Sequence, residues 1–234
     1  LSAMLMLYAD FSAYSDIACG TAAMLGFKLP VNFKAPFFLV SFSDFWRRWH
    51  LTFSYWIRDY IYIPLGGSRA GEWRNYFNLV VTFFLGGLWH GASYTFVLWG
   101  ILMGVVLSAE AILRRQGIQD WPQQYWLRPI RLSIVWFLLI LSSVFFFSPS
   151  LQWSFDCMKW MISGTTGTLM PTQGMVLPVA ALCVLFFHFI EEKPEWFIRF
   201  QRHENILLPV ASFLLVVLVH EYVQGAKDFF YFQF

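Results

Sequence analysis

Between Arg74 and Glu110 the chain offers one readily titrating side chain, His90, inside an apolar run from Tyr76 to about Ala109. A histidine there costs free energy unless it has a partner or a water-filled cavity, so it reads as functional. It belongs to the stretch Leu85-Gly86-Gly87-Leu88-Trp89-His90-Gly91, whose glycines let another backbone or a substrate chain come close. The bland alternative is a helix-packing histidine held by one hydrogen bond. The glycines, and a second polar constellation upstream, weigh against it. The run is also too long for one simple span, since about 33 residues at 1.5 Å each reach about 50 Å. A break is expected near Gly86-Gly87 or Gly91, giving two short, tilted or re-entrant pieces with His90 at the break. Such backbone is tolerated in a membrane only where protein or a water-filled cavity covers it.

The rest of the composition agrees with a membrane setting. The 234 residues are 58% apolar and 21% aromatic but only 13% charged, which excludes an ordinary soluble domain. Net charge is +2, so a nucleic-acid partner is not indicated. Cys19, Cys157 and Cys183 are scattered and odd in number, and imply neither a zinc site nor a disulfide framework. No signal peptide is visible, and a start at Leu1 inside an apolar segment suggests a missing N-terminal part.

Leu1 to Phe27 reads as a membrane helix in which Tyr8, Ser12 and Asp16 share a face and Asp10 pairs with Tyr14. Its carboxylates either face a protein interior or are solvated near the interface. Lys28 to Pro36 is a loop. Ser41 to Tyr60 reads as one amphipathic helix, capped by Ser43 or Asp44 and ended by Pro64 with Gly66-Gly67. Trp46, Trp49, Phe53, Trp56 and Tyr60 make one aromatic face, while Arg47, His50, Ser54 and Arg58 lie on another side. That pattern fits a helix lying in the membrane interface, but it does not explain His50. Ile130 to Phe147, Gly174 to Ile190 and Ile206 to Val223 read as spans, and Trp153 to Met161 as a short amphipathic piece.

Basic residues give an orientation. Lys28 to Arg74 holds seven Lys/Arg, Arg114 to Arg131 four and Lys193 to Arg202 three, while Lys159 and Lys227 stand alone. The rich loops are expected in the cytoplasm and the poor ones outside. The reading is one all-α domain over 1–234, a polytopic membrane protein with transmembrane, interfacial and re-entrant helices.

Several stretches resemble the membrane-bound O-acyltransferase family, most closely its bacterial alginate O-acetyltransferase-like branch. They are Tyr8-Ala9-Asp10-Phe11-Ser12-Ala13-Tyr14-Ser15-Asp16, Asp44-Phe45-Trp46-Arg47-Arg48-Trp49-His50, the run from Arg58 to Gly67, Gly86-Gly87-Leu88-Trp89-His90-Gly91, and the terminal Tyr231-Phe232-Gln233-Phe234. Together these 36 residues fall in order between Tyr8 and Phe234 of a chain that looks like the C-terminal half of a family member. The resemblance implies helices around a central tunnel in the bacterial inner membrane, with transfer of an acyl group from a thioester to a hydroxyl. The donor is acetyl-CoA or an acyl carrier protein, used as a substrate; no bound cofactor is implied. Periplasmic or extracellular acetylation partners, a secreted polysaccharide such as alginate, and membrane lipid are the implied partners. By the same resemblance His90 is the catalytic histidine, and His50 a second family histidine on the cytoplasmic side. A sister branch transfers D-alanine to teichoic acid.

The residues suit that chemistry. Acyl transfer needs a base for the hydroxyl proton, and neutral imidazole fits, which makes His90 the candidate. Backbone N–H groups at Gly86, Gly87 and Gly91, if freed by a helix break, are oxyanion candidates. His50 with Arg47 and Arg48 can meet a phosphate-bearing donor, although the arginines also suit anionic lipid. Trp46, Trp89, Asp10 and Asp16 complete the candidate substrate contacts. His188, His203 and His220 read as solvated or interfacial. A zinc site from His50 and His90 has no supporting spacing. A polysaccharide or lipid transporter remains the alternative of a different class.

Overall fold

The expected break falls at Gly91. In the computed structural model, which describes residues 2–118, 128–163 and positions 181, 182, 184, 185, 188 and 189, helix α4 (Glu72–His90) runs unbroken through Gly86 and Gly87. The chain then turns over Gly91, Ala92 and Ser93 into α5 (Tyr94–Arg115). Ser93 starts α5 by accepting the Thr95 N–H at 3.3 Å. The two pieces are not short. Helices of 19 and 22 residues extend about 28 and 33 Å at 1.5 Å per residue.

Small residues hold this hairpin together. A Cβ on Gly87 would lie 2.3 Å from the Phe96 carbonyl oxygen, and one on Gly100 2.3 Å from that of Phe83. The backbones therefore touch, the close approach that glycine permits between helices in lipid. At the open end of the hairpin Arg115 pairs with Glu72 at 2.7 Å. His90 lies at the other end.

Ahead of the hairpin come α1 (Ser2–Met24), α2 (Phe42–Trp46), α3 (Leu51–Ile57) and a π-helical segment, Arg58–Tyr62. After it come α6 (Arg128–Phe146) and α7 (Leu151–Ser163). Every regular element among the described residues is helical. Among the described residues two helices are long and apolar enough to cross a membrane, Tyr94–Arg115 and the Pro129–Phe146 part of α6. Helices α1 and α4 have the length, but Asp10 and Asp16 in one, and Glu72, Arg74, Asn75 and Asn78 in the other, interrupt the apolar run. The spans read at Gly174–Ile190 and Ile206–Val223, the residues His203 and His220, and the aromatic tail lie largely or wholly outside the described residues.

The single amphipathic helix expected over Ser41–Tyr60 is instead three pieces. Ser41, rather than Ser43 or Asp44, caps α2 by accepting the Asp44 N–H at 3.0 Å. A turn over Arg47 to His50 follows, with His50 in the left-handed region at φ 44°, ψ 57°. That conformation is uncommon for a side chain with a Cβ and has to be held in place. The preceding loop holds it: Lys34 N–H donates to Arg48 O and Leu51 N–H to Asn32 O, both at 3.0 Å. The kink splits the aromatic face. Trp46, Trp49 and Phe53 enter the core, while Trp56 and Tyr60 stay exposed. A 3.6-residue period cannot reveal this, because it assumes an unbroken axis.

Polar ties set the kinked segment against α5. The Glu110 carboxylate accepts the Ser43 N–H at 3.0 Å and an Arg114 N–H at 2.6 Å. Trp46 then lies against Phe83 of α4, ring centroids 4.9 Å apart, and Trp99 of α5, at 6.1 Å. Helix α1 closes the other side, with Tyr8 packed edge-on against Phe33 and Phe37 at 5.4 and 5.1 Å. His188 corrects an expectation here. It is 1% exposed and stacks on Phe37 at 5.5 Å, so it is a core residue rather than a solvated one.

A candidate active site between two histidines

The kink and the hairpin turn converge. His50 and His90 line one apolar cavity, together with side chains of α1 (Met4, Leu7, Phe11), α5 (Trp99, Met103) and α6 (Leu139, Ser142, Phe146). Phe53 bridges the imidazoles, its ring centroid 5.2 Å from His50 and 5.8 Å from His90. No sequence spacing relates positions 50 and 90; the packing of α3 on α4 does.

His90 sits in an aromatic cage. Phe146, Trp89 and Trp99 lie 4.9, 4.9 and 5.3 Å from its ring. Among the described residues its contacts are with aromatic rings, and no hydrogen bond reaches either of its nitrogens. The last turn of α4 and the close contact at Gly87 set its position.

His50 is held differently. Its Nδ1 lies 3.3 Å from Asn32 Oδ1, which also accepts the Thr52 N–H at 3.2 Å and the Thr52 hydroxyl at 2.9 Å. Its Nε2 is buried with no hydrogen-bond partner among the described residues. Burial pushes this imidazole down, to about 4, and the nearby His90 acts in the same direction. At neutral pH it is uncharged, with one bare nitrogen. An unpartnered buried acceptor costs about 1–3 kcal/mol, a cost that a bound donor group would remove.

The other sequence-derived candidates divide. Trp46 lines the cavity, and its indole N–H is buried without a hydrogen-bond partner among the described residues. Trp89 flanks both histidines but is 55% exposed and does not line the cavity. Arg47 is exposed, Arg48 pairs with Asp44 at 3.2 Å, and neither reaches the cavity. Asp10 is half-buried and Asp16 exposed on α1, and neither lines the cavity. The expected oxyanion donors are corrected. Gly86 and Gly87 lie within continuous helix, where their N–H groups serve the helical ladder, and the Gly91 N–H donates to Leu88 O at 3.2 Å. Among the described residues no three His, Cys, Asp or Glu side chains converge as metal ligands. Sequence reasoning missed Asn32, which stands among prolines in the expected Lys28–Pro36 loop, and Ser142, which lies inside the expected span Ile130 to Phe147.

Residues 1–152 match the sequence model of MBOAT, the membrane-bound O-acyltransferase family. The chain belongs to this family. Within it, the chain is similar to the probable alginate O-acetylase AlgI of Pseudomonas putida, 39% identical over 189 residues that cover 77% of this chain and 38% of that protein. It is 48% identical over 110 residues to a peptidoglycan O-acetyltransferase of Helicobacter pylori, 47% of this chain and 21% of that one. A teichoic acid D-alanyltransferase of Streptococcus thermophilus matches at 28% over 158 residues, 60% of this chain and 38% of that one. The chain thus spans about 38% of the length of a relative such as the P. putida protein. The family match takes in both histidines and every described residue that lines the cavity.

Proposed function

We propose that the protein is a membrane-bound O-acyltransferase that moves an acetyl group from a cytoplasmic thioester, acetyl-CoA or an acyl carrier protein, to a hydroxyl of a secreted polysaccharide such as alginate. The observation that carries this reading is the meeting of His50 and His90 in one aromatic cavity within a family of acyltransferases. Relatives named for O-acetylation match at 38–48% identity, against 28–29% for relatives named for D-alanyl transfer, which supports acetyl as the group moved.

In the proposed reaction His90 is the base. The hydroxyl oxygen bonds to the acyl carbon as its proton passes to the imidazole. The carbon–sulfur bond then breaks, and the leaving thiolate takes that proton, which returns His90 to its neutral form. The buried indole N–H of Trp46 is the donor we assign to the thioester carbonyl, in place of the glycine N–H groups. His50 supplies a hydrogen-bond acceptor, and Arg47, exposed on the kink, meets the phosphates of the donor. Full-length protein in membrane vesicles, given a labelled acetyl thioester and polysaccharide, is expected to yield alkali-labile ester on the polysaccharide. Polysaccharide crossing the vesicle wall without any ester formed would replace the enzyme by a transporter.

Two further expectations follow from the placement of these residues. His50→Ala is expected to lower turnover by on the order of 10², whereas Arg47→Ala is expected to raise KM for the donor with turnover kept. Equal effects of the two on both constants would show that His50 and Arg47 act as one donor site. The second concerns the orientation, which we take as Lys/Arg-rich loops inside. The Glu72–Arg115 pair places the Arg69 loop and Arg115 at one end of the hairpin. Phe146 against His90 brings the end of α6, and so Ser150, to the other. In protein freed of its native cysteines, Cys at 150 is expected to react with an impermeant thiol reagent from outside the cell, and Cys at 69 or 115 is not. External labelling at 69 reverses the orientation.

A further inference from the structure

We propose that Asn32 is a positioning residue that fixes the tautomer of His50, so that His50 offers the cavity a hydrogen-bond acceptor at Nε2. The assignment follows from which groups have no choice. A backbone N–H can only donate. The Thr52 N–H, 3.2 Å from the Asn32 side-chain atom, therefore identifies that atom as the amide oxygen rather than its nitrogen. The Thr52 hydroxyl reaches the same oxygen at 2.9 Å. The Asn32 amide nitrogen is engaged elsewhere, donating to Ser15 Oγ of α1 at 3.3 Å. An amide oxygen only accepts, so His50 Nδ1, 3.3 Å away, carries the ring proton. A neutral imidazole with its proton on Nδ1 has a lone pair on Nε2.

The backbone adds to the restraint. Asn32 O accepts the Leu51 N–H at 3.0 Å, so Asn32 grips the residues on the C-terminal side of His50 by main chain and side chain together. This is the segment in which His50 adopts its left-handed conformation. The two grips orient a ring that lines the cavity while its second nitrogen is buried without a partner among the described residues. The class of ligand follows: an O–H or N–H of the substrate, a sugar hydroxyl or the amide of a thioester arm, donates to Nε2. The catalytic use of this acceptor rests on the acyl-transfer reading; the tautomer does not.

The test separates the two. Full-length protein carrying 15N-labelled histidine in detergent gives imidazole nitrogen spectra, with His50 assigned by the signal lost in His50→Gln. Wild type is expected to show protonated Nδ1 and bare Nε2. Asn32→Asp keeps an acceptor and is expected to retain that tautomer, move its Nδ1 proton downfield and keep turnover. Asn32→Leu is expected to lose the tautomer and to reduce kcat about 10–100-fold, the range seen when the orienting partner of a ligating histidine is removed. A wild-type His50 protonated on Nε2 overturns the proposal, as does an Nδ1 proton unmoved in Asn32→Asp. These two spectra decide the matter even where Asn32→Leu fails to fold. Asn32→Leu with the tautomer lost and kcat unchanged overturns the catalytic use of His50 while the hydrogen-bond assignment stands.

Discussion

His90→Ala in the full-length protein is expected to abolish acyl transfer while the protein stays inserted and folded. Loss of a general base costs on the order of 10²–10⁴ in rate. The structure explains why stability is expected to change less. Among the described residues His90 makes ring contacts only, so its removal strands no hydrogen-bond partner there. Had it been a packing histidine held by a hydrogen bond, the change would have cost about 1–3 kcal/mol and left the surviving protein active. Expression level, thermal unfolding in detergent and specific activity therefore belong in one experiment. A well-folded His90→Ala protein with near-normal activity removes His90 from the mechanism.

The opposite signature is expected at Gly87, one helical turn before His90. A Cβ there would lie 2.3 Å from the Phe96 carbonyl oxygen and 3.4 Å from Gly100 Cα. These are backbone atoms, and no side-chain rotation relieves the clash. Gly87→Val forces α4 and α5 apart at the turn that carries His90. Overpacking of this kind costs about 1–3 kcal/mol, and more where the backbone must move. Both stability and transfer are expected to fall. Gly86→Ala is the control, since its Cβ would meet the Phe53 ring at an ordinary 3.5 Å. Alanine is also favoured over glycine in a helix by about 1 kcal/mol, so this variant is expected to match or exceed wild-type stability. A Gly87→Val protein as stable as Gly86→Ala would show that the hairpin contact is not tight.

The two variants separate two uses of one motif. Gly87 lets the helices touch, and His90 uses the place they then occupy. From sequence the glycines looked like loosened backbone, with N–H groups free for an oxyanion. Inside a helix, a glycine next to a facing glycine instead marks close packing.

Local physics was legible in the sequence. The lone titrating residue of a long apolar run singled out His90. The length of that run required a break, and the glycines placed it near Gly86-Gly87 or Gly91, of which the fold uses Gly91. Helices α1 and α4 to α7 follow from apolar runs and periodicity, and the motif stretches pointed to the family that residues 1–152 match. The kink at Arg47–His50 was not legible, because it depends on hydrogen bonds with a loop 14–19 residues earlier. Nor was the separation of His50 from Arg47 and Arg48. The turn directs His50 to the cavity, while Arg47 is left exposed and Arg48 pairs with Asp44. Asn32 gained its role only when the chain brought Thr52 and His50 to the same amide oxygen. Sequence by itself determined which residues are costly to bury, since that cost belongs to the side chain and its neighbours. Only the tertiary structure decided which of them meet, because partners 18 and 40 positions apart are joined by packing and not by any period along the chain.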